Sequence, residues 1–209
     1  RELSGSDRYA FDQLSWHFFY HRHNDFWKAQ AFKRLTPLVA STEMLVCGED
    51  LGMIPASVPE VMNKLQILSL EIERMPKSQQ REFSDMFNLP YHSVCTTSTH
   101  DMTPLRNWWK EDPEKTQRYY NHVLQRIGEA PDECTAEIVA QIISNHLKTR
   151  SMLTIIPLQD WFAMDDSIKR KDIESERINV PANSTHYWRY RMHITLEQLL
   201  QADNLNNKI

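Results

Sequence analysis

Apolar residues recur at helical spacing from the start of the chain. Phe11, Leu14 and Phe18 are followed by Phe26, Ala29, Phe32 and Leu35, so residues 7–40 predict two consecutive amphipathic helices. The pattern then changes. Met44-Leu45-Val46-Cys47 is a short apolar run ended by Gly48, which predicts a fully buried strand opening into a polar loop. Pro55 and Pro59 flank the start of a helix through about Leu65, and residues 67–72 predict a second strand, reached by a connection too long for a hairpin. Residues 76–88 are polar and predict an exposed loop before a third strand at 93–97. Helices are predicted at about 103–109, 113–127 and 135–148, the last with Thr135 as its cap, and a fourth strand at 152–156 ends before Pro157. The charged stretch 165–177 reads as a mobile connection, and Thr195 opens a final helix to about Ala202.

Buried strands alternating with helices predict an α/β fold, a parallel sheet with right-handed helical crossovers. Four strands do not close an eight-stranded barrel, so the pattern suits either an open doubly wound sheet or part of a barrel. Both architectures carry ligands at the carboxyl ends of the strands. The chain sets its densest polar chemistry there twice, at Glu49-Asp50 and at His100-Asp101.

Composition narrows the partners. The 209 residues carry 24 Lys and Arg against 28 Asp and Glu, a net charge of −4, which gives no electrostatic footprint for nucleic acid or an anionic membrane. The apolar runs are far shorter than the roughly 20 residues a bilayer requires, and no signal segment follows Arg1. Three cysteines without CxxC spacing fit a reducing, cytoplasmic setting better than a disulfide framework.

Carboxylates beyond buried strand ends are costly unless paired or solvated in a cleft, and such places are where acid/base groups are built. Asp101 alone reads equally well as a helix cap, whereas Glu49, between a glycine and a second acid, is a poor cap. Taken together, two carboxyls above one sheet suit glycosyl transfer. Trp108-Trp109, Tyr187-Trp188 and Tyr190 could stack on sugar rings, although tryptophans at helical spacing are more often core. His17 and His21 have the i, i+4 spacing of metal ligands, but HExxH is absent, so no metal is expected there. Signatures for a nucleophile elbow, a P-loop and a dinucleotide fingerprint are missing as well. A non-catalytic glucan-binding module, with the aromatics carrying affinity, is the alternative of a different class.

With these residues in view, Cys47-Gly48-Glu49-Asp50-Leu51-Gly52-Met53-Ile54-Pro55, the run His100-Asp101-Met102-Thr103-Pro104-Leu105-Arg106-Asn107-Trp108-Trp109 and Asn179-Val180-Pro181 resemble the 4-α-glucanotransferases of glycoside hydrolase family 77, the amylomaltases and disproportionating enzymes. The stretches at 70–76 and 186–191 are similar to the disproportionating-enzyme-2 branch, in which starch-binding modules often precede the catalytic barrel. The resemblance implies a (β/α)8 TIM barrel enzyme that moves α-1,4-glucan segments, with retention, onto glucose or a maltooligosaccharide, without a cofactor. It maps the general acid/base to Glu49 and the transition-state stabiliser to Asp101, and places His100, Asp50, Trp108, Asn179 and Pro181 at the substrate. The family nucleophile, an aspartate in an Arg-x-Asp context, has no counterpart before Glu49. Residues 1–209 are therefore expected to be the C-terminal half of the barrel, inactive alone and open to self-association through unpaired edge strands.

Overall fold

The computed structural model describes residues 3–52 and 54–209; Arg1, Glu2 and Met53 lie outside the described residues. The chain divides into two compact units, the first ending at Leu70 and the second beginning at Glu71.

In the first unit, helix α1 (Gly5–His17) starts where the Ser4 hydroxyl accepts the Asp7 amide, satisfying one of the orphan donors of a helix start. It passes through one π-helical stretch, Phe18–Arg22, into α2 (His23–Ala40), so the two expected helices form an almost continuous rod. The apolar positions of these helices are largely uncovered. Phe11, Leu14, Phe18 and Phe26 are exposed, and neither α1 nor α2 contains a buried residue. Periodicity identifies a face that can be covered, but it does not supply the element that covers it.

Helix α3 (Ser57–Leu65) packs beside α2, where Lys28 Nζ donates to Glu60 and the Ser57 hydroxyl donates to Asn24 Oδ1. Gln66, left-handed at φ 55°, ends α3, and the Ile67 amide returns to the Met62 carbonyl. The buried strand expected at 44–47 is corrected. It is a single parallel bridge, Cys47 to Leu68, made by Gly48 N–H to Leu68 O (2.8 Å) and Leu68 N–H to Val46 O (2.9 Å), while Met44, Leu45 and Cys47 are exposed. One rung orders the backbone there without burying the apolar run.

The strand β1 (Ser69–Ile72) leads into the second unit, and the sheet order is β1-β2-β3 with β2 (Ser93–Thr96) and β3 (Leu153–Thr154) parallel. Every residue of β2 is buried, as expected of a central parallel strand. Helices α4 (Leu105–Glu111), α5 (Pro113–His122) and α6 (Ala136–Leu147) follow the predicted order. Asp112 caps α5, with Pro113 at its first position, and Thr135 caps α6. Helix α5 ends before the expected Ile127 because Gln125 and Gly128 take positive φ (56° and 95°), and the Gln117 and Asn121 side chains hold the Gly128 carbonyl. The core gathers around Trp109, Tyr119, Ile138, Ile142 and Phe162.

Two features of this unit differ from the pattern. A short helix α7 (Leu158–Phe162) was not predicted, because its inward face carries Gln159 and Asp160 beside Phe162. Residues 165–177 are tied down by their own charges. Asp165 accepts from the Ser167 amide and hydroxyl, Arg106 donates to the Arg170 carbonyl and to Glu176, and Gln159 donates to the Glu176 carbonyl. The chain closes with α8 (Leu196–Leu200), which carries a Thr195–Gln198 capping box, and α9 (Asp203–Asn206).

The end of β1 brings a titratable group into the core. Burial pushes the Glu73 carboxyl up to about 7, against the pull of the Tyr119 hydroxyl, which donates to it at 2.5 Å, and of Arg74. The folded state therefore holds a proton that the unfolded chain releases from about pH 4.5, and this group's contribution to stability falls as pH rises to about 7. Glu176, also raised to about 7 by burial, acts in the same direction, while buried His146, pushed down to about 4, acts oppositely below its ordinary range. Glu73→Gln keeps an acceptor for Tyr119 and cannot ionise. The variant's thermal midpoint is expected to match wild type near pH 4.5 and to exceed it increasingly up to about pH 7, then by a constant margin. A gap independent of pH in a thermal-shift series would contradict this origin.

Candidate functional site

Glu49 and Asp101 lie in different units, and each has a local construction of its own. Gly48 follows the Cys47 rung, and a Cβ on it would stand 2.9 Å from Met62 Cε and 3.4 Å from an Ile67 methyl, so the backbone there runs close against α3 and the residue after it. Asp50 turns inward. It is 5% exposed, and its Oδ1 accepts the Leu70 amide at 2.9 Å, joining the loop to the start of β1. Glu49, between them, is left at the surface. Gly52, at φ +77°, supplies the left-handed turn that carries the chain away. In this arrangement Asp50, expected at the substrate, holds backbone in place. Asp50→Ala leaves the Leu70 N–H without its acceptor, and a loss of roughly 1–3 kcal/mol is expected. Asp50→Asn, which retains an acceptor oxygen, should lose less in the same thermal unfolding measurement.

Asp101 stands just past the carboxyl end of β2, in a turn where the Asp101 amide donates to Thr99 Oγ1 and the Met102 amide to the Thr99 carbonyl. Its carboxylate is half-exposed and held at both oxygens. Asn179 Nδ2 donates to Oδ1 at 2.6 Å, and His100 Nε2 lies 3.1 Å from Oδ2. His100, Asp101 and Asn179, three of the expected residues, therefore meet. Pro181 follows at the surface, in a turn closed by the Asn183 amide on the Val180 carbonyl.

Trp108 is a correction. It is 7% exposed and belongs to the core, with the Arg74 guanidinium 5.0 Å from its ring and Tyr119 edge-on at 5.0 Å, so its faces are occupied and it is not a sugar platform. Trp109, 2% exposed, is core as well. Among the aromatics named as possible sugar platforms, Tyr187 and Trp188 are the exposed ones.

Sequence reasoning missed the support beneath the Asp101 turn. Arg74, fully buried at the end of β1, donates from Nε and Nη2 to the Thr97 carbonyl (3.1 and 2.9 Å) and from Nη2 to the Thr103 carbonyl (2.8 Å). It thus closes both ends of the 97–103 loop with one guanidinium. Asp160 of α7 faces the same place, accepting the Thr97 hydroxyl at 2.6 Å and the Leu105 amide at 3.0 Å, which anchors the start of α4. Burial raises its carboxyl above the usual range, countered by these donors and by Arg74 and Arg106. The available signal was the charged pair Glu73-Arg74 directly after an apolar strand.

His17 and His21 stack with ring centroids 6.0 Å apart, and among the described residues no group of three or more His, Cys, Asp or Glu is placed to hold a metal ion. Among those residues, too, no helix is long and apolar enough to cross a membrane.

Residues 2–197 match the family model of glycoside hydrolase 77, 4-alpha-glucanotransferase. The 4-alpha-glucanotransferase DPE2 of Oryza sativa subsp. japonica is 39% identical over 197 residues, 94% of this chain and 21% of that protein. The 4-alpha-glucanotransferase of Chlamydia caviae is 30% identical over 179 residues, 84% of this chain and 33% of that protein. The chain thus spans about a fifth to a third of the length of these relatives. Amylomaltase from Streptococcus agalactiae, solved in complex with acarbose, superposes with a TM-score of 0.57 at 17% identity, over 78% of this chain and 30% of that one. Amylomaltase from Corynebacterium glutamicum gives 0.58 at 16% identity, over 78% and 28%. At such identities the likeness concerns the fold, a parallel sheet with helices.

Proposed function

The chain belongs to the 4-α-glucanotransferase family of glycoside hydrolase 77, and on that premise we propose that it is the C-terminal part of a (β/α)8 barrel whose full-length enzyme transfers α-1,4-glucan segments between maltooligosaccharides with retention. The observation that carries this reading is the Asp101 carboxylate, half-exposed past the carboxyl end of a parallel strand and held by Asn179 and His100. A carboxylate gripped in that way is ready to accept two neighbouring sugar hydroxyls, and its hold strengthens as the ring flattens and gains positive charge.

The reaction then has two steps. A carboxylate nucleophile contributed from outside residues 1–209 attacks the anomeric carbon, while Glu49 in its acid form protonates the departing glycosidic oxygen. Glu49, now a carboxylate, takes the proton of the acceptor hydroxyl as that oxygen displaces the enzyme. Asp101 binds hydroxyls of the distorted ring through both steps, with His100 beside it, and Asn179 fixes its orientation. Acceptor must outcompete water for the glycosyl-enzyme, so the assembled site is shielded. Starch-derived glucans and maltose-series sugars are the substrate class, in a cytoplasmic setting.

The test is incubation of the full-length enzyme with maltotriose alone. Transfer yields glucose together with longer oligosaccharides, resolved by chromatography. Hydrolysis to glucose and maltose without longer products, or no turnover, would overturn the assignment.

A further inference from the structure

We propose that Trp188 is the stacking wall for the sugar ring next to the one Asp101 holds, and so a determinant of glucan affinity. The inference rests on the glucan-transfer reading and, among the aromatics named from the sequence, gives Trp188 a defined place beside Asp101.

Residues 178–191 have no regular secondary structure, yet they are braced at several points. His186 Nε2 lies 3.0 Å from the Ile178 carbonyl, drawing the two arms of the loop together. Farther along, Arg170 donates to the Arg191 carbonyl at 3.1 Å and sits 5.6 Å from the Tyr190 ring, while its other amine is fixed on the Ser175 carbonyl. Between those braces one arm sets Asn179 on Asp101, and the other sets Trp188 against His100, ring centroids 5.1 Å apart at 47°. The loop therefore clasps the His100–Asp101 pair from two sides.

Trp188 remains 55% exposed. A ligand face laid on this ring would remove apolar surface from water, a gain of roughly 25 cal/mol per Å² covered. The cover must suit what surrounds it: a carboxylate, an imidazole and an amide on one side and a flat aromatic on the other. A pyranose presents that combination, with equatorial hydroxyls at its edge and C–H groups on its face. Trp108, the tryptophan expected at the substrate, has its ring faces occupied by Arg74 and Tyr119.

The experiment compares full-length wild type with Trp188→Ala, Trp188→Leu and Trp188→Phe in steady-state transfer from maltotriose and maltoheptaose. Stacking predicts that Ala and Leu raise KM by about tenfold or more, while kcat changes less and Phe stays within about threefold of wild type. Leu separates a flat face from mere bulk against His100. Wild-type KM in the Ala variant overturns the inference, as does a Leu variant indistinguishable from wild type, or a fall in kcat at unchanged KM, which would mark a prop for His100. A wild-type enzyme that performs no transfer overturns the proposed function and this inference with it, whereas a transferring wild type with an unaffected Ala variant removes the inference alone.

Discussion

Glu49→Gln in the full-length enzyme is expected to lower kcat for transfer between maltooligosaccharides by about 10²–10⁴-fold while leaving glucan binding within a few fold. The amide matches the carboxyl in size and can still hydrogen-bond, but it can neither give a proton to the leaving oxygen nor take one from the acceptor. The side chain is exposed, and the loop around it is held by Gly48 against α3 and by Asp50 on the Leu70 amide, so the exchange leaves the fold intact. The chemistry permits a sharper check than loss of activity. A maltosyl fluoride needs no proton for departure, so with this donor the variant should regain formation of the glycosyl-enzyme. Azide, which needs no base, should then displace the enzyme carboxylate and release an α-glycosyl azide, with net retention. Undiminished turnover on ordinary maltooligosaccharides would remove Glu49 from the acid/base role. Loss with the fluoride as great as with maltotriose would point to a structural effect.

Where chemistry is announced by local sequence, part of its setting was legible: His-Asp lies in a polar loop past β2, as its place after an apolar run implies, whereas Gly-Glu-Asp follows a single bridge and not a strand. Helix starts were legible for the same reason, since Thr135, Thr195 and the Asp112-Pro113 pair cap their helices through atoms three residues away. Contacts that cross the sequence were not. Arg74 reaches carbonyls 23 and 29 residues on, and Asp160 receives a hydroxyl 63 residues back. No periodicity signals such partnerships, and a buried carboxylate on α7 disguises the helix that bears it. Tryptophan was ambiguous for a related reason. Trp108 and Trp188 are the same side chain, and only the tertiary neighbours, Arg74 and Tyr119 for one and His100 for the other, make one core and leave the other open. On α1 and α2 the apolar period marks the helices and says nothing of their burial, because burial is a property of two surfaces.

The Arg74 clamp carries the second large effect. Arg74→Ala is expected to destabilise the unit from Glu71 onward by about 3–5 kcal/mol, the cost of breaking a buried charged network from one side. The Thr97 and Thr103 carbonyls lose their donor, Asp160 loses its nearby countercharge, and Trp108 loses the cation over its ring. Because those carbonyls are the two ends of the loop that presents His100 and Asp101, the damage should also reach the reaction. Arg74→Lys restores the charge, but a single ammonium cannot reproduce the planar fork that spans Thr97 and Thr103. The Lys variant should therefore recover part of the thermal midpoint while its kcat stays well below wild type, a split that a purely structural role would not produce. An Ala variant that melts with wild type would show that the loop is held by other means. A Lys variant with wild-type kcat would show that charge alone suffices to set Asp101 in place.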